Sequence, residues 1–296
     1  MPAETDVVLA VDIGGTKLAA GLVDSEGRVR WAQRVPTPAM ATDAQLWEAL
    51  AALVGSAPGP AVGCGVGCGG PMRAGGVAVS PLNIPGWRDF PLRDRLATLT
   101  GLPTAVDNDA KALALGEGWC GAAQGRPGYL SMVVSTGVGG GIVLDGRLLE
   151  GDGGNAGHIG HVVVEPGGRP CACGGRGCLE AEASGTAIAA VTGRPAAEAD
   201  PAVRSRTGTL VGRAIASVAN LLDLGLATVA GSVALGYGEV FFASAQAEID
   251  ALARLDFSRG TRVVASGLGA DGPIVGAAAV GWRALGALPG RSPGHT

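Results

Sequence analysis

Lysine is almost missing from this 296-residue chain, whose 22 basic residues include only two lysines, Lys17 and Lys111. Charge of either sign is scarce at 16%, the net charge is −4, and no basic patch forms, which argues against a nucleic-acid partner. No apolar run suits a membrane span. The longest uncharged stretch, Ala49 to Met72, is broken by seven glycines and three prolines. The first residues, MPAETDVVLA, carry two early acids and no basic region, so no signal peptide is expected and a cytoplasmic location follows. Low-complexity segments are missing too, apart from a short polar terminus after Leu288.

Glycine, by contrast, is abundant. Fifty-two glycines imply many turns and close backbone approaches. A length of 296 residues exceeds what one hydrophobic core usually serves, so two lobes are expected.

Six cysteines are present, and three of them, Cys171, Cys173 and Cys178, share one glycine-punctuated loop with His161. One imidazole and three thiols complete a tetrahedral zinc set with no position left for water, the mark of a structural site. The alternative use is disulfides or free buried thiols. In a chain that is not exported thiols stay reduced, which favours the metal. Such a site would anchor the loop that carries His158 and Glu180.

Periodicity gives an alternation of strands and helices. Residues 7–12 form an apolar run ending at Gly14-Gly15, then KLAAGLVD, a turn and a third strand. The pattern recurs: LSMVV at 130–134, a glycine-rich tip at 135–141, then IVLDG and RLL. Aligning Asp12-Ile13-Gly14 with Ser135-Thr136-Gly137 superimposes the two hairpins, and an internal repeat at this distance suggests two related α/β lobes facing each other. Between and after them, helices are expected at 41–53, after Asp107-Asn108-Asp109, and at 208–222, 239–252 and 272–286. Strands are expected at 61–67, 103–106, 226–230 and 261–265.

Both hairpin tips expose backbone N–H groups that can cradle phosphate oxygens, with hydroxyls from Thr16 and Thr136. Asp12 is a candidate for holding magnesium through water. Two ordinary hairpins are the alternative, and it is the duplication that favours nucleotide binding. Gly65-x-Gly67-x-x-Gly70 matches the dinucleotide fingerprint as text, but Pro71 follows and no helix opens, so the match fails. A Walker A sequence is lacking as well.

DIGGTK at 12–17, DNDAKA at 107–112, STGVGGGIV at 135–143, GHxGH at 157–161 and CxCGxxGCLE at 171–180 together resemble the ROK sugar kinases, bacterial glucokinases and their relatives. The resemblance spans essentially the whole chain. It implies an actin-like ATPase (ribonuclease H-like) α/β fold of two facing lobes with a cleft between them. The smaller lobe would cover residues 1–112, closed by a C-terminal helix at about 285–296. The larger would cover 113–284, with the zinc loop at 157–180.

The resemblance also implies roles. Asp109 matches the catalytic base and Asn108 a sugar contact, while His161 both ligates zinc and approaches the sugar, Glu180 accepts from sugar hydroxyls and Gly70 is a further contact. Gly14, Gly15, Thr16, Lys17, Thr136 and Gly137 match the phosphate loops, and Gly231 the nucleoside side. Structural Zn2+ and Mg2+ with ATP are the implied cofactors, a hexose and ATP the ligands, and a homodimer the implied assembly. Regulators of this family carry an added N-terminal DNA-binding domain, for which no room is expected before the strand near residue 7. A sugar-binding regulator and a sugar-independent nucleotide hydrolase are the competing classes, disfavoured by Asp109 and by the zinc loop respectively.

One position departs from the family, which commonly has ExGH where this chain has His158. Neutral imidazole offers one donor and one acceptor in place of two carboxylate oxygens, or else the ring simply packs against the loop. The expected reaction is phosphorylation of a sugar 6-hydroxyl, with glucose first and N-acetylmannosamine, N-acetylglucosamine, mannose or fructose as alternatives.

Overall fold

The computed structural model describes residues 6–38 and 42–288. The chain opens with β1 (Val7–Ile13), β2 (Lys17–Asp24), β3 (Val29–Pro36), α1 (Asp43–Gly55), β4 (Gly63–Cys68), α2 (Leu92–Thr100), β5 (Thr104–Asn108) and α3 (Asp109–Cys120). Its middle forms β6 (Tyr129–Val134), β7 (Val138–Leu144), β8 (Arg147–Leu148), α4 (Leu179–Ala183), α5 (Gly185–Thr192) and α6 (Pro201–Leu222). Then come β9 (Leu226–Ala230), α7 (Ser232–Tyr237), α8 (Glu239–Leu252), β10 (Arg262–Ala265) and α9 (Gly272–Ala284).

Two five-stranded sheets result, in the orders β3-β2-β1-β4-β5 and β10-β9-β6-β7-β8. In each, a three-stranded antiparallel meander is extended by two parallel strands from its first strand. The internal repeat is therefore real at the level of topology. Its register differs from the textual alignment by two residues. β1 ends at Ile13 and β6 at Val134, so the three-residue tips Gly14–Thr16 and Ser135–Gly137 are the equivalent pieces. Matching glycines in the text slid the alignment, whereas hairpin length fixes it.

The chain divides into two compact units. Of the described residues, the first contains those up to Gln124, Glu150–Ala156 and those from Leu268 to Leu288, and the second contains Gly125–Leu149 and Gly157–Gly267. This differs from the expected boundaries at 112 and 284. Helices α3 and α9 both lie in the first unit, because they cover one face of its sheet. Alternation along β1 shows why: Val8 and Ala10 face Trp119 of α3 and Ile274 and Ala277 of α9. Leu9, Val11 and Ile13 face Leu50 of α1 and Leu92 and Leu96 of α2. The closing helix expected at about 285–296 lies mostly outside the described residues, and Leu285–Leu288 are not helical.

α9 runs against β4 so closely that a Cβ at Gly65 would lie 2.1 Å from the Ala277 carbonyl oxygen. Gly65, the first glycine of the false dinucleotide fingerprint, thus serves helix–sheet packing. α1 starts with a capping box, in which Gln45 N donates to Thr42 Oγ1 (3.3 Å) and Thr42 N to Gln45 Oε1 (3.0 Å). The second unit has its own core, centred on Met132, Leu179, Val211, Val229 and Phe241. Among the described residues no helix is long and apolar enough to cross a membrane.

Candidate active site and metal centre

In the first unit, β5 delivers Asn108 and Asp109 to the start of α3. Asn108 is the N-cap, its Oδ1 accepting from Ala110 N (3.1 Å) and Lys111 N (3.3 Å), and Asp109 Oδ1 accepts from Ala110 N at 2.8 Å. With Asn108 Oδ1 committed to the backbone, its amide NH2 is left as the group a ligand oxygen would meet.

Asp12, near the end of β1, is buried on the same side. Burial, reinforced by the negative charge of Asp109, pushes its carboxyl up to about 7, against the opposing pull of Lys17 and Arg34. Two carboxylates in such a setting fit a cation, which would relieve both desolvation and mutual repulsion. The adjacent tip is closed by Gly14 N donating to the Lys17 carbonyl (3.0 Å), and Thr37 Oγ1 braces it on Gly14 O at 2.6 Å. Thr16 and Lys17 are exposed there.

Gly70 ends β4's following turn, its carbonyl accepting from Leu82 N at 3.1 Å. Asn83, which the sequence reasoning did not single out, sits between two of these pieces. Cβ atoms at Gly15 and Gly69 would each come within 3.1 Å of it. Its only sequence signal was a polar residue inside the turn-rich run Pro81-Leu82-Asn83-Ile84-Pro85.

In the second unit, His161, Cys171, Cys173 and Cys178 have their ligand atoms all within 4.8 Å of one another. The Cys173 and Cys178 sulfurs are 3.7 Å apart, and Cys171 Sγ is 3.6 Å from His161 Nδ1. Tetrahedral zinc with Zn–S of about 2.3 Å and Zn–N of about 2.1 Å has edges of about 3.8 and 3.6 Å, so the donor set fits zinc. All six cysteines are free, which removes the disulfide alternative.

The thiols diverge. Burial, then the neighbouring sulfurs, push Cys178 up to about 12, whereas the Gly175 backbone N–H and the sulfurs hold exposed Cys173 below the ordinary thiol range. A cation is what would let all three ionise together. Gly177, at φ +70°, makes the wrap possible, because a Cβ there would lie 1.8 Å from the Glu165 carbonyl oxygen.

Glu180 follows Cys178 by two residues, at the start of α4. Its Oε2 accepts from Val138 N at 3.0 Å, and a Cβ at Gly137 would lie 2.9 Å from the same oxygen. The metal loop and the glycine tip are thus joined through one carboxylate. His158 is exposed at the start of the short 3-10 turn Ile159–His161, its ring centroid 6.1 Å from that of His161.

Ser135 and Thr136 open onto a pocket of roughly 380 Å3, which Thr186, Ala197 and Ser232 also line. Ser135 Oγ lies 3.0 Å from Ser232 Oγ, and Thr186 Oγ1 donates to Thr136 O at 2.9 Å. Gly231, at φ +100°, lies immediately before Ser232. The starts of α5 and α7 adjoin this tip, and Gly185 N and Thr186 N of α5 donate to the Ser135 and Thr136 carbonyls at 2.7 and 3.3 Å.

The model of the ROK family matches residues 8–283. An N-acetylmannosamine kinase from Citrobacter koseri is 43% identical over 246 residues, 78% of this chain and 84% of that protein. A ROK family glucokinase from Streptomyces griseus, solved with glucose and AMPPNP, is 31% identical with a TM-score of 0.83, covering 94% of this chain and 99% of that one. A ROK hexokinase from Thermus thermophilus is 34% identical, with a TM-score of 0.77 over 95% of this chain and 99% of its own. The two mixed sheets are those of the actin-like ATPase fold, and the chain belongs to the ROK family, whose sugar kinases it matches along most of its length.

Proposed function

We propose that the protein transfers the γ-phosphoryl group of MgATP to the 6-hydroxyl of a hexose, N-acetylmannosamine before glucose. The observation that carries the kinase reading is Asp109, a carboxylate at the start of α3 beside buried Asp12. Phosphoryl transfer asks for alignment, charge neutralisation and a place for the alcohol's proton. Asp109 is the base. Its modest basicity suffices because the hydroxyl becomes acidic as its oxygen bonds to phosphorus. Asn108, Gly70, Glu180, His158 and His161 are the sugar contacts. Gly14, Gly15, Thr16, Lys17, Thr136 and Gly137 hold phosphates, and Gly231 adjoins the nucleoside.

Asp12 would hold Mg2+ through water, where the ion would supply neutralisation of phosphate charge. His161, Cys171, Cys173 and Cys178 would hold Zn2+, which would supply rigidity to the loop bearing Glu180 and His158. N-acetylmannosamine moves ahead of glucose on two supports. One is the name carried by the relative at 43% identity. The other is His158 in place of the family's usual glutamate, which changes the hydrogen bonds offered to the sugar. A homodimer is part of the proposal, to be read from sedimentation or scattering.

The test is a coupled ADP-release assay with MgATP against N-acetylmannosamine, N-acetylglucosamine, glucose, mannose and fructose, with a polyphosphate arm in place of ATP. N-acetylmannosamine should give the highest kcat/KM. Glucose exceeding it tenfold would restore glucokinase, and turnover with none of the five would reject a hexose kinase.

A further inference from the structure

The segment Glu150–Ala156 lies in the chain between β8 and the turn bearing His161, both in the second unit, yet it packs into the first. It is clamped there at both ends. At its start, Lys111 Nζ contacts Glu150 Oε2, donates to Gly154 O at 3.1 Å and lies 3.2 Å from Asp107 Oδ1. Those three acceptors use all three ammonium protons, and the Lys111 side chain is only 2% exposed. Arg283 of α9 adds a second cation on Glu150 Oε1 at 2.7 Å. At the far end the Asn155 amide grips Met72 twice, Oδ1 accepting from Met72 N (3.2 Å) and Nδ2 donating to Met72 O (3.1 Å).

Each clamp acts next to a proposed sugar contact. Asp107, the partner of Lys111, also accepts the backbone N–H of Asn108 at 2.8 Å, and Asp109 follows. Met72 stands two residues after Gly70. A buried ammonium adds little net stability even when fully paired, so what Lys111 contributes is the direction in which the Asp107 and Glu150 carboxylates point.

We infer that Lys111 and Asn155 are positioning residues. Through the strap Glu150–Ala156 they fix the spacing between the turn after β4 and the start of α3, without touching the reacting atoms. Only the identity of the ligand rests on the proposed kinase function; the coupling of the two turns does not.

Hydrogen–deuterium exchange on the free protein tests the coupling, with Lys111→Met and Asn155→Ala as variants. Exchange at the remote end is decisive: Asn155→Ala should speed the Asn108 amide, and Lys111→Met the Met72 amide, each on the order of tenfold. Kinetics with N-acetylmannosamine and MgATP should show a sugar KM raised about tenfold and a nucleotide KM unchanged. A merely structural role would lower the active fraction, reducing kcat and leaving both KM values alone.

Exchange changes confined to the substituted end, or an unchanged sugar KM in Asn155→Ala, overturn the inference. If Lys111→Met does not fold, Asn155→Ala at its half-buried loop position decides alone. If the wild-type protein phosphorylates no sugar, the kinase proposal fails, and exchange at Asn108 and Met72 still decides whether the strap couples the turns.

Discussion

Asp12 and Asp109 flank Gly67, whose Cβ, if it had one, would lie 3.7 Å from Asp12 Oδ1 and 3.6 Å from Asp109 Cα. A methyl at 67 would meet both at ordinary contact distance, and the charge of Asp109 is felt at the Asp12 carboxyl, which it helps to push up. Asp109→Asn should therefore act in two ways. Turnover should fall about a thousandfold while sugar binding persists, as expected for loss of a general base. The Asp12 carboxyl should titrate lower, since the repulsion from Asp109 is gone. Stopped-assay kinetics, equilibrium sugar binding and NMR titration of the carboxyl would check this; near-normal turnover would remove Asp109 from the mechanism.

Nucleotide binding should depend on pH through Asp12. Its carboxyl, pushed up to about 7 by burial and then by Asp109, is protonated and unsuited to a cation at lower pH. MgATP affinity in the absence of sugar should then strengthen about tenfold from pH 6 to pH 8. Calorimetry of wild type and Asp12→Asn across that range would show it, with the variant binding weakly and without the slope.

Metal removal should disable the sugar side first. Elemental analysis should find one zinc per chain, and Cys178→Ser or a strong chelator should lower the melting temperature by about 10 °C or more and raise the sugar KM. A metal-free protein of equal stability and equal KM would leave the Cys171–Cys178 loop without its proposed ion.

Acid stability should depend on Glu182. Its buried carboxylate accepts from Arg169 N (2.7 Å) and Arg206 Nη2 (2.8 Å). Burial alone would raise this group, but those hydrogen bonds and the two guanidinium charges outweigh it and hold it below the ordinary range. A carboxyl lowered on folding stabilises above its unfolded value, near 4.5, and that contribution is lost as pH falls through the lower folded value. Glu182→Gln should cost about 2 kcal/mol at neutral pH and flatten the acid limb of a stability–pH curve. Denaturant melts from pH 3 to pH 7 would measure both.

Close packing of α9 on β4 makes a sharp stability test. Gly65→Ala would put a methyl 2.1 Å from the Ala277 carbonyl oxygen, with the backbone of Gly281 also inside contact distance. The expected loss is about 3 kcal/mol or more, read from chemical denaturation. A neutral effect would mean that α9 can shift on the sheet.

Much of this arrangement was legible in the sequence where local signals and tertiary needs agree. Strand β9 and helix α8 fall where periodicity put them, and the cysteine spacing marked a cluster whose atoms do converge. What stayed hidden depends on distant partners. Helix α2 has a polar face and a short length, and only its burial of Leu92 and Leu96 in the first core makes it stable. Membership of α9 in the first unit could not be read from position 272, because glycine at 65 looks the same whether it serves a turn, a phosphate or a passing helix. Lys111, an ordinary helix former by type, gave no sign that its ammonium is buried, since Glu150 and Gly154 lie about forty residues away.

Helix α9 begins at Gly272, about 150 residues after α3 ends at Cys120, yet it fills one face of the sheet that begins with β1. During synthesis at ~5–20 residues per second, β1, β4 and α3 wait on the order of ten seconds or more for it, with Val8, Ala10 and Trp119 uncovered. The amino-terminal unit is thus a late folder despite being translated early. Its nascent form presents an apolar sheet face until α9 emerges to cover it.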